Sequence, residues 1–297
     1  MITQTLRHCT CAILCFFLLS NVSLANQGTA LFGAAKPYAS MANLSYAPER
    51  EIKAALARLG YTLSEYRKID GVEVSYFVAT NEALKQQVIA VRGTANIENA
   101  LVDISLKLRP NSHINIALHE GFALAAEGIY QAVRPVLRRD YTISTTGHSL
   151  GGAVAVILAM FLDEDDYTLG PVMTFGQPKV TNIRGALRFQ HLDITRFVTP
   201  RDFVPLVPPV DIVDIKDPDI YWHLGKEIVL LGGDDFAELG GIKSMMRATR
   251  VFDTQPSLEN LAHHKMSGYV EQISRKSEAA NRVPYSTGAN LLQLFGQ

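Results

Sequence analysis

The sequence is short of cysteine. Of 297 residues only three are Cys, and Cys9, Cys11 and Cys15 all fall in the first fifteen positions. No disulfide framework and no thiol nucleophile can be built downstream of them. Charge of neither sign dominates: 28 Lys and Arg stand against 29 Asp and Glu, a net charge of −1. That balance lacks the basic footprint of a nucleic-acid binder and excludes that class of partner. Long hydrophobic runs are missing too. The stretch CTCAILCFFLLS at 9–20 is too short to cross a bilayer comfortably, and no later stretch is long enough either. With Arg7 before it and Ser23 and Ala25 after it, that stretch predicts a secretory signal peptide over 1–25, cut after Ala25, and a secreted or periplasmic product. Residues 26–297 show no internal repeat and no linker, which predicts a single domain held by packing alone.

What is present centres on Tyr141 to Gly152, YTISTTGHSLGG. Tyr141 to Thr145 alternates with β-branched residues as a strand does. It runs into Gly147-His148-Ser149-Leu150-Gly151 and then into AVAVILAMFL, an apolar run of buried-helix length. Strand, glycine-bounded turn and helix are the setting of a nucleophile elbow. In that setting Ser149 stands exposed at the top of the turn, with the helix N-terminus behind it favouring developing negative charge. A glycine-rich turn without chemistry is the alternative that the short motif leaves open.

Around this centre the chain alternates strands and helices, which predicts a mostly parallel sheet with helices on both faces. Residues 26–47 are weakly patterned and read as an arm on the surface. Pro48 to Leu59 predicts a helix with Ile52, Leu56 and Leu59 on one face. Asp70-Gly71 predicts a two-residue hairpin between YTLSEYRKI and VEVSYFVAT. Gln87 to Val91 is a strand of the buried central kind. It ends in Arg92-Gly93-Thr94, a loop where an oxyanion donor belongs, although an ordinary connection reads equally well. A helix is predicted from His119 to about Arg139, and another over Leu258 to Ile273. Asp163 to Asp166 reads as a solvated charge run. Asp202 follows the strand Ile194 to Val198 and is fixed by prolines, so it is either a rigidly placed carboxylate or a turn-forming Asp. Asp214, Asp217 and Asp219 lack the spacing of a calcium loop. His263 and His264 are adjacent and cannot face one metal from a helix.

Ser149, Asp202 and His264 follow the chain order of α/β-hydrolase triads. The motifs RGT at 92–94, HEGF at 119–122, GHSLGG at 147–152, TFGQPKVTN at 174–182, Asp202 before FVPLVPP, YWHLGKEI at 221–228 and HKMSGY at 264–269 resemble those of the class 3 lipases, the fungal-lipase-like family. The resemblance implies an α/β-hydrolase fold and a catalytic triad of Ser149, Asp202 and His264. His264 is chosen over His263 because Lys265-Met266-Ser267-Gly268-Tyr269 matches the family's pattern after its histidine. It further implies an oxyanion hole from Thr94 and the Leu150 N–H, and a short lid within Ala95 to Asp103 whose apolar residues are Ile97, Leu101 and Val102, beside the polar Asn96. Lys179 and Thr181 stand where the family more often has Arg and Gly. The implied activity is hydrolysis of acylglycerol esters through an acyl-enzyme, with no cofactor and no metal. The implied partners are a lipid or acyl-ester substrate and, transiently, the lipid interface that presents it. A phospholipase A1, a short-chain carboxylesterase, or a hydrolase-like fold that only binds lipid or a partner are the alternatives.

Overall fold

Apolar residues run almost without relief along Val74–Asn81, Gln86–Val91 and Leu169–Phe175. Strands of that kind are stable only when both faces of their sheet are covered. The computed structural model, which describes residues 27–69, 74–94, 107–208, 220–248 and 262–285, shows that arrangement. In chain order its strands are β1 (Thr62–Ile69), β2 (Val74–Asn81), β3 (Gln86–Val91), β4 (Leu108–Asn111), β5 (Ile116–His119), β6 (Thr142–His148), β7 (Leu169–Phe175), β8 (Thr181–Asn182), β9 (Ile194–Val198), β10 (Tyr221–Trp222), β11 (Lys226–Leu230), β12 (Asp235–Leu239) and β13 (Asn281–Arg282). The helices are α1 (27–44), α2 (Glu49–Arg58), α3 (Glu120–Val133), α4 (Leu150–Glu164), α5 (Ile183–Arg188), α6 (Gly241–Ala248) and α7 (Met266–Glu278).

The main sheet runs β1-β2-β3-β6-β7-β9-β11-β12-β13. From β3 to β11 every pairing is parallel, and the antiparallel pairs lie towards the two edges. Successive side chains point to opposite faces. Tyr76, Val78, Ile89 and Val91 accordingly join one core with α3 and α4. Phe77, Ala79, Val88 and Ala90 join the other with α1, α2 and α7. A second, small sheet runs β10-β8-β5-β4.

Polar residues in the central strand are bonded rather than solvated. Thr145 Oγ1 donates to the Ala155 carbonyl at 2.8 Å and Thr146 Oγ1 to that of Met173 at 2.7 Å. These bonds tie β6 to α4 and β7 without leaving a buried hydroxyl unpaired.

Several local expectations are corrected. The supposed surface arm is α1, with Phe32, Ala35 and Met41 buried against the sheet. Ile69 pairs with Val74, not with Val72 as a two-residue turn at Asp70-Gly71 requires, and residues 70–73 lie outside the described residues. In α2, Ile52 and Leu56 are buried but Leu59 is exposed, because it follows the last helical turn. The helix from His119 stops at Val133, two residues ahead of Pro135: Arg134 keeps helical backbone angles, and Pro135 has no N–H to extend the ladder of hydrogen bonds. His264 precedes α7 instead of lying within a helix. The acidic run is partnered: His191 binds Asp163, Arg188 binds Glu164, and both His113 and Tyr130 bind Asp165. The predicted signal peptide, the lid candidates Asn96, Ile97 and Leu101, the trio Asp214, Asp217 and Asp219, and the tail 286–297 lie outside the described residues.

Candidate active site

The strand registers level four carboxyl ends. Val91 of β3 sits opposite Gly147 of β6, His148 opposite Phe175 of β7, and Phe175 opposite Phe197 of β9. The loops leaving these ends carry Thr94, Ser149, Gly176 and Asp202, and ligands bind outside the carboxyl ends of such strands.

Ser149 caps α4 with φ 59° and ψ −134°, a backbone region that L-residues rarely adopt. Holding it there costs roughly 1–3 kcal/mol. Its N–H donates to the Phe175 carbonyl at 2.9 Å. Every residue from Gly151 to Leu162 in the following helix is buried. Each large apolar side chain among them contributes about 1.5–3 kcal/mol, so one or two offset the strained turn. A side chain on Gly151 would run into the carbonyl of Val91 and the backbone of Arg92, so helix and strand can cross this closely only with glycine there. The serine is not exposed as its position on the turn predicted. It is 1 % accessible, because the loop of Gly93 lies against it: a Cβ built on Gly93 would come within 3.1 Å of the Ser149 Cβ.

His264 and Asp202, 62 residues apart, are brought together at 2.7 Å between Nδ1 and Oδ2. Both are buried. The carboxylate accepts, so Nδ1 carries the proton and Nε2 is left as the bare, basic nitrogen. His264 Nε2 and Ser149 Oγ are buried atoms without a hydrogen-bond partner among the described residues. Asp202 takes two further bonds, from the Tyr269 hydroxyl to Oδ2 at 2.6 Å and from the Val204 N–H to Oδ1 at 2.9 Å. Burial, reinforced by Asp202, pushes the Tyr269 hydroxyl well above its ordinary range, so it remains a donor. Tyr269 was visible in the sequence only as the end of a motif; its hydrogen bond had no signal there.

The Asp202 loop is clamped by side chains as well as by its prolines. Lys179 Nζ donates to the carbonyls of Leu206 and, at 2.7 Å, Pro208, while its N–H reaches Val207 at 2.9 Å. His223 Nε2 donates to the Pro205 carbonyl at 2.6 Å. Lys179 shares the interior with Arg196, Arg247 and Glu227, three cations to one anion. Burial would raise the Glu227 carboxyl, but Arg247 and Arg196 overcome it and hold it at about 2. Lys179 moves the other way, down to about 7, through burial and then the two arginines. Above about 7 the folded protein therefore holds Lys179 neutral while the unfolded chain still binds that proton. Relative to Lys179→Met, wild type should gain stability as pH rises from about 7 toward 10.5, the ordinary lysine value, and lose it as pH falls back. Melting temperatures of both proteins across that window check this; parallel curves would show that Lys179 does not titrate there.

Gly176 turns the chain after β7 with φ +60°, and a Cβ there would fall 2.8 Å from His264 Cε1 and 2.9 Å from Asp202 Oδ2. Gly176→Ala should therefore part the His264–Asp202 pair and lower activity by roughly 10²-fold, a misplacement of about 1 Å. Circular dichroism beside rate measurements would separate that loss from unfolding, and unchanged rates would show that the pair absorbs the methyl.

A mostly parallel sheet covered on both faces, a serine on a strained strand-to-helix turn and a buried His–Asp pair at the same end of the sheet define an α/β-hydrolase. Comparison with known proteins narrows this. Residues 88–212 match the family model "Lipase (class 3)", so the resemblance read from the motifs is borne out over that segment, which ends ahead of His264. The lipase of Rhizopus niveus is 31% identical over 146 residues, 45% of this chain and 37% of its own length. The secreted mono- and diacylglycerol lipase 1 of Fusarium solani is 30% identical over 116 residues, 37% of this chain and 34% of its own. The matched stretch thus spans about a third of the length of these relatives. In three dimensions, lipase II from Rhizopus niveus superposes with a TM-score of 0.60 at 23% identity, covering 69% of this chain and 82% of that one, which shows the shared fold.

Proposed function

We propose that this chain is an exported serine ester hydrolase acting on acylglycerols. The observation that carries the reading is the buried His264–Asp202 pair, whose Nε2, like the hydroxyl of Ser149 on its strained elbow, is buried without a hydrogen-bond partner among the described residues. Ser149 Oγ attacks the ester carbonyl as its proton passes to His264 Nε2. Asp202 keeps Nδ1 protonated and supports the imidazolium. The oxyanion is met by the Leu150 N–H, one of the first groups of α4 and without an intrahelical partner, and by Thr94. His264 then protonates the departing alcohol, and water, activated by the same imidazole, releases the fatty acid. The names of the matched lipases support an acylglycerol as the substrate.

Hydrolysis of tributyrin, a soluble p-nitrophenyl ester and phosphatidylcholine by the purified protein tests the reading. Release of fatty acid from tributyrin is expected, and turnover of the phospholipid alone would make the chain a phospholipase instead. Thr94→Val should lower kcat by roughly 10²-fold with KM little changed, because a donor to the oxyanion matters only once charge develops. A change confined to KM would place Thr94 along the acyl chain. Export with removal of 1–25 is part of the same proposal, and sequencing the N-terminus of the exported protein would read the cut after Ala25 directly.

A further inference from the structure

His148 immediately precedes the nucleophilic turn and is buried. Its Nε2 lies 2.6 Å from the carbonyl oxygen of His264 and its Nδ1 lies 2.8 Å from the hydroxyl of Tyr46. A carbonyl only accepts, so Nε2 carries the proton, Nδ1 accepts, and Tyr46 donates. Burial, with His264 nearby, pushes His148 well below its ordinary range and so favours this neutral form. The two imidazoles stand 4.5 Å apart between ring centroids. A second cation beside an imidazolium at His264 would repel it, so a neutral His148 is the form compatible with catalysis.

Tyr46 comes from the connection between α1 and α2, about a hundred residues earlier in the chain. Its hydroxyl faces the backbone N–H of Gly93, with the Arg92 guanidinium 5.8 Å over the ring. The packing is tight: a Cβ on Gly93 would fall 2.5 Å from that hydroxyl and 2.6 Å from the His148 carbonyl. Burial raises the phenol to about 12, against the opposing effects of Gly93 and Arg92, so it stays protonated. Tyr46 thus packs against Gly93 of the loop bearing Thr94, and hydrogen bonds run from it through His148 to the backbone that carries the proposed base.

We infer that Tyr46 and His148 form a brace that holds the oxyanion loop and the His264 backbone in register with Ser149. Neither side chain enters the reaction. Both are positioning residues, and the inference rests on the ester-hydrolase reading above. Misplacement of donors or base by a fraction of an ångström acts on the transition state more than on substrate binding.

The test uses the full-length protein as exported, with a soluble p-nitrophenyl ester. Tyr46→Phe keeps the ring and removes only the hydroxyl. It should lower kcat by roughly 10-fold or more, with KM within about twofold. His148→Ala should lose at least as much, and His148→Gln, whose amide can still reach the His264 carbonyl, should recover part of it. The double variant Tyr46→Phe/His148→Ala should be no worse than His148→Ala alone, since the two residues act as one unit. Lowered melting temperatures with unchanged kcat in folded variants, a loss confined to KM, or fully additive losses would overturn the brace. If His148→Ala does not fold, Tyr46→Phe decides alone. A wild type without esterase activity, or a Ser149→Ala variant that retains it, would instead overturn the underlying reading.

Discussion

Ser149→Ala is expected to remove ester hydrolysis almost completely, by roughly 10⁴-fold or more, because the members of a triad act as a unit. The fold should survive. The lost hydroxyl has no hydrogen-bond partner among the described residues, so no bonded group is orphaned. The elbow is held instead by the Ser149 N–H on Phe175 and by the buried helix behind it, and both remain. Residual hydrolysis would come from donors and binding alone. A fluorophosphonate probe should label wild type and leave the variant unlabelled. Labelling at another residue, with activity kept, would place the nucleophile elsewhere.

Asp202→Asn should cost roughly 10³- to 10⁴-fold, and the reason lies in how many donors converge on this side chain. His264 Nδ1 and the Tyr269 hydroxyl meet Oδ2, and the Val204 N–H meets Oδ1. A carboxylate accepts from all three, but an amide offers only one oxygen. If that oxygen stays with Val204, the amide N–H₂ faces His264, forces its proton onto Nε2 and removes the base. If the oxygen turns to His264, the amide donors confront the Val204 N–H in a buried site. The first arrangement inactivates a folded enzyme; the second leaves Nε2 as the base but destabilises the fold. Rates measured beside melting temperatures distinguish them. Full activity in Asp202→Asn would show that His264 is oriented by something else.

The elbow was legible in the sequence because its glycines are steric necessities at fixed offsets from the serine, and a fixed offset is what a linear reading detects. The parallel core was legible for a similar reason, since doubly covered strands need unbroken apolar runs. The pairing of Asp202 with His264 spans 62 positions and was reached only through chain order and motif resemblance. The supports were not legible at all. Lys179 acts on the carbonyls of Leu206 and Pro208, and His148 on the carbonyl of His264; a backbone acceptor has no sequence signature. Helix α1 escaped because Pro37 and Gly33 lie inside it, residues that argue against a helix, and because its small side chains give little periodic contrast. Packing against the sheet overrides those local preferences.

The placement of α1 also sets when the molecule can finish folding. Phe32 packs edge-on against Phe236 with ring centroids 5.0 Å apart, and a Cβ on Gly28 would touch that of Ala280. One whole face of the sheet is thus closed by segments from opposite ends of the chain, 32–56 and 266–280. Contacts of such sequence separation form late. The segment of α1 and α2 must wait, with its apolar side uncovered, until α7 has been made. A chain cut ahead of α7 would lose the seam between these two segments together with the Tyr269 hydroxyl that meets Asp202.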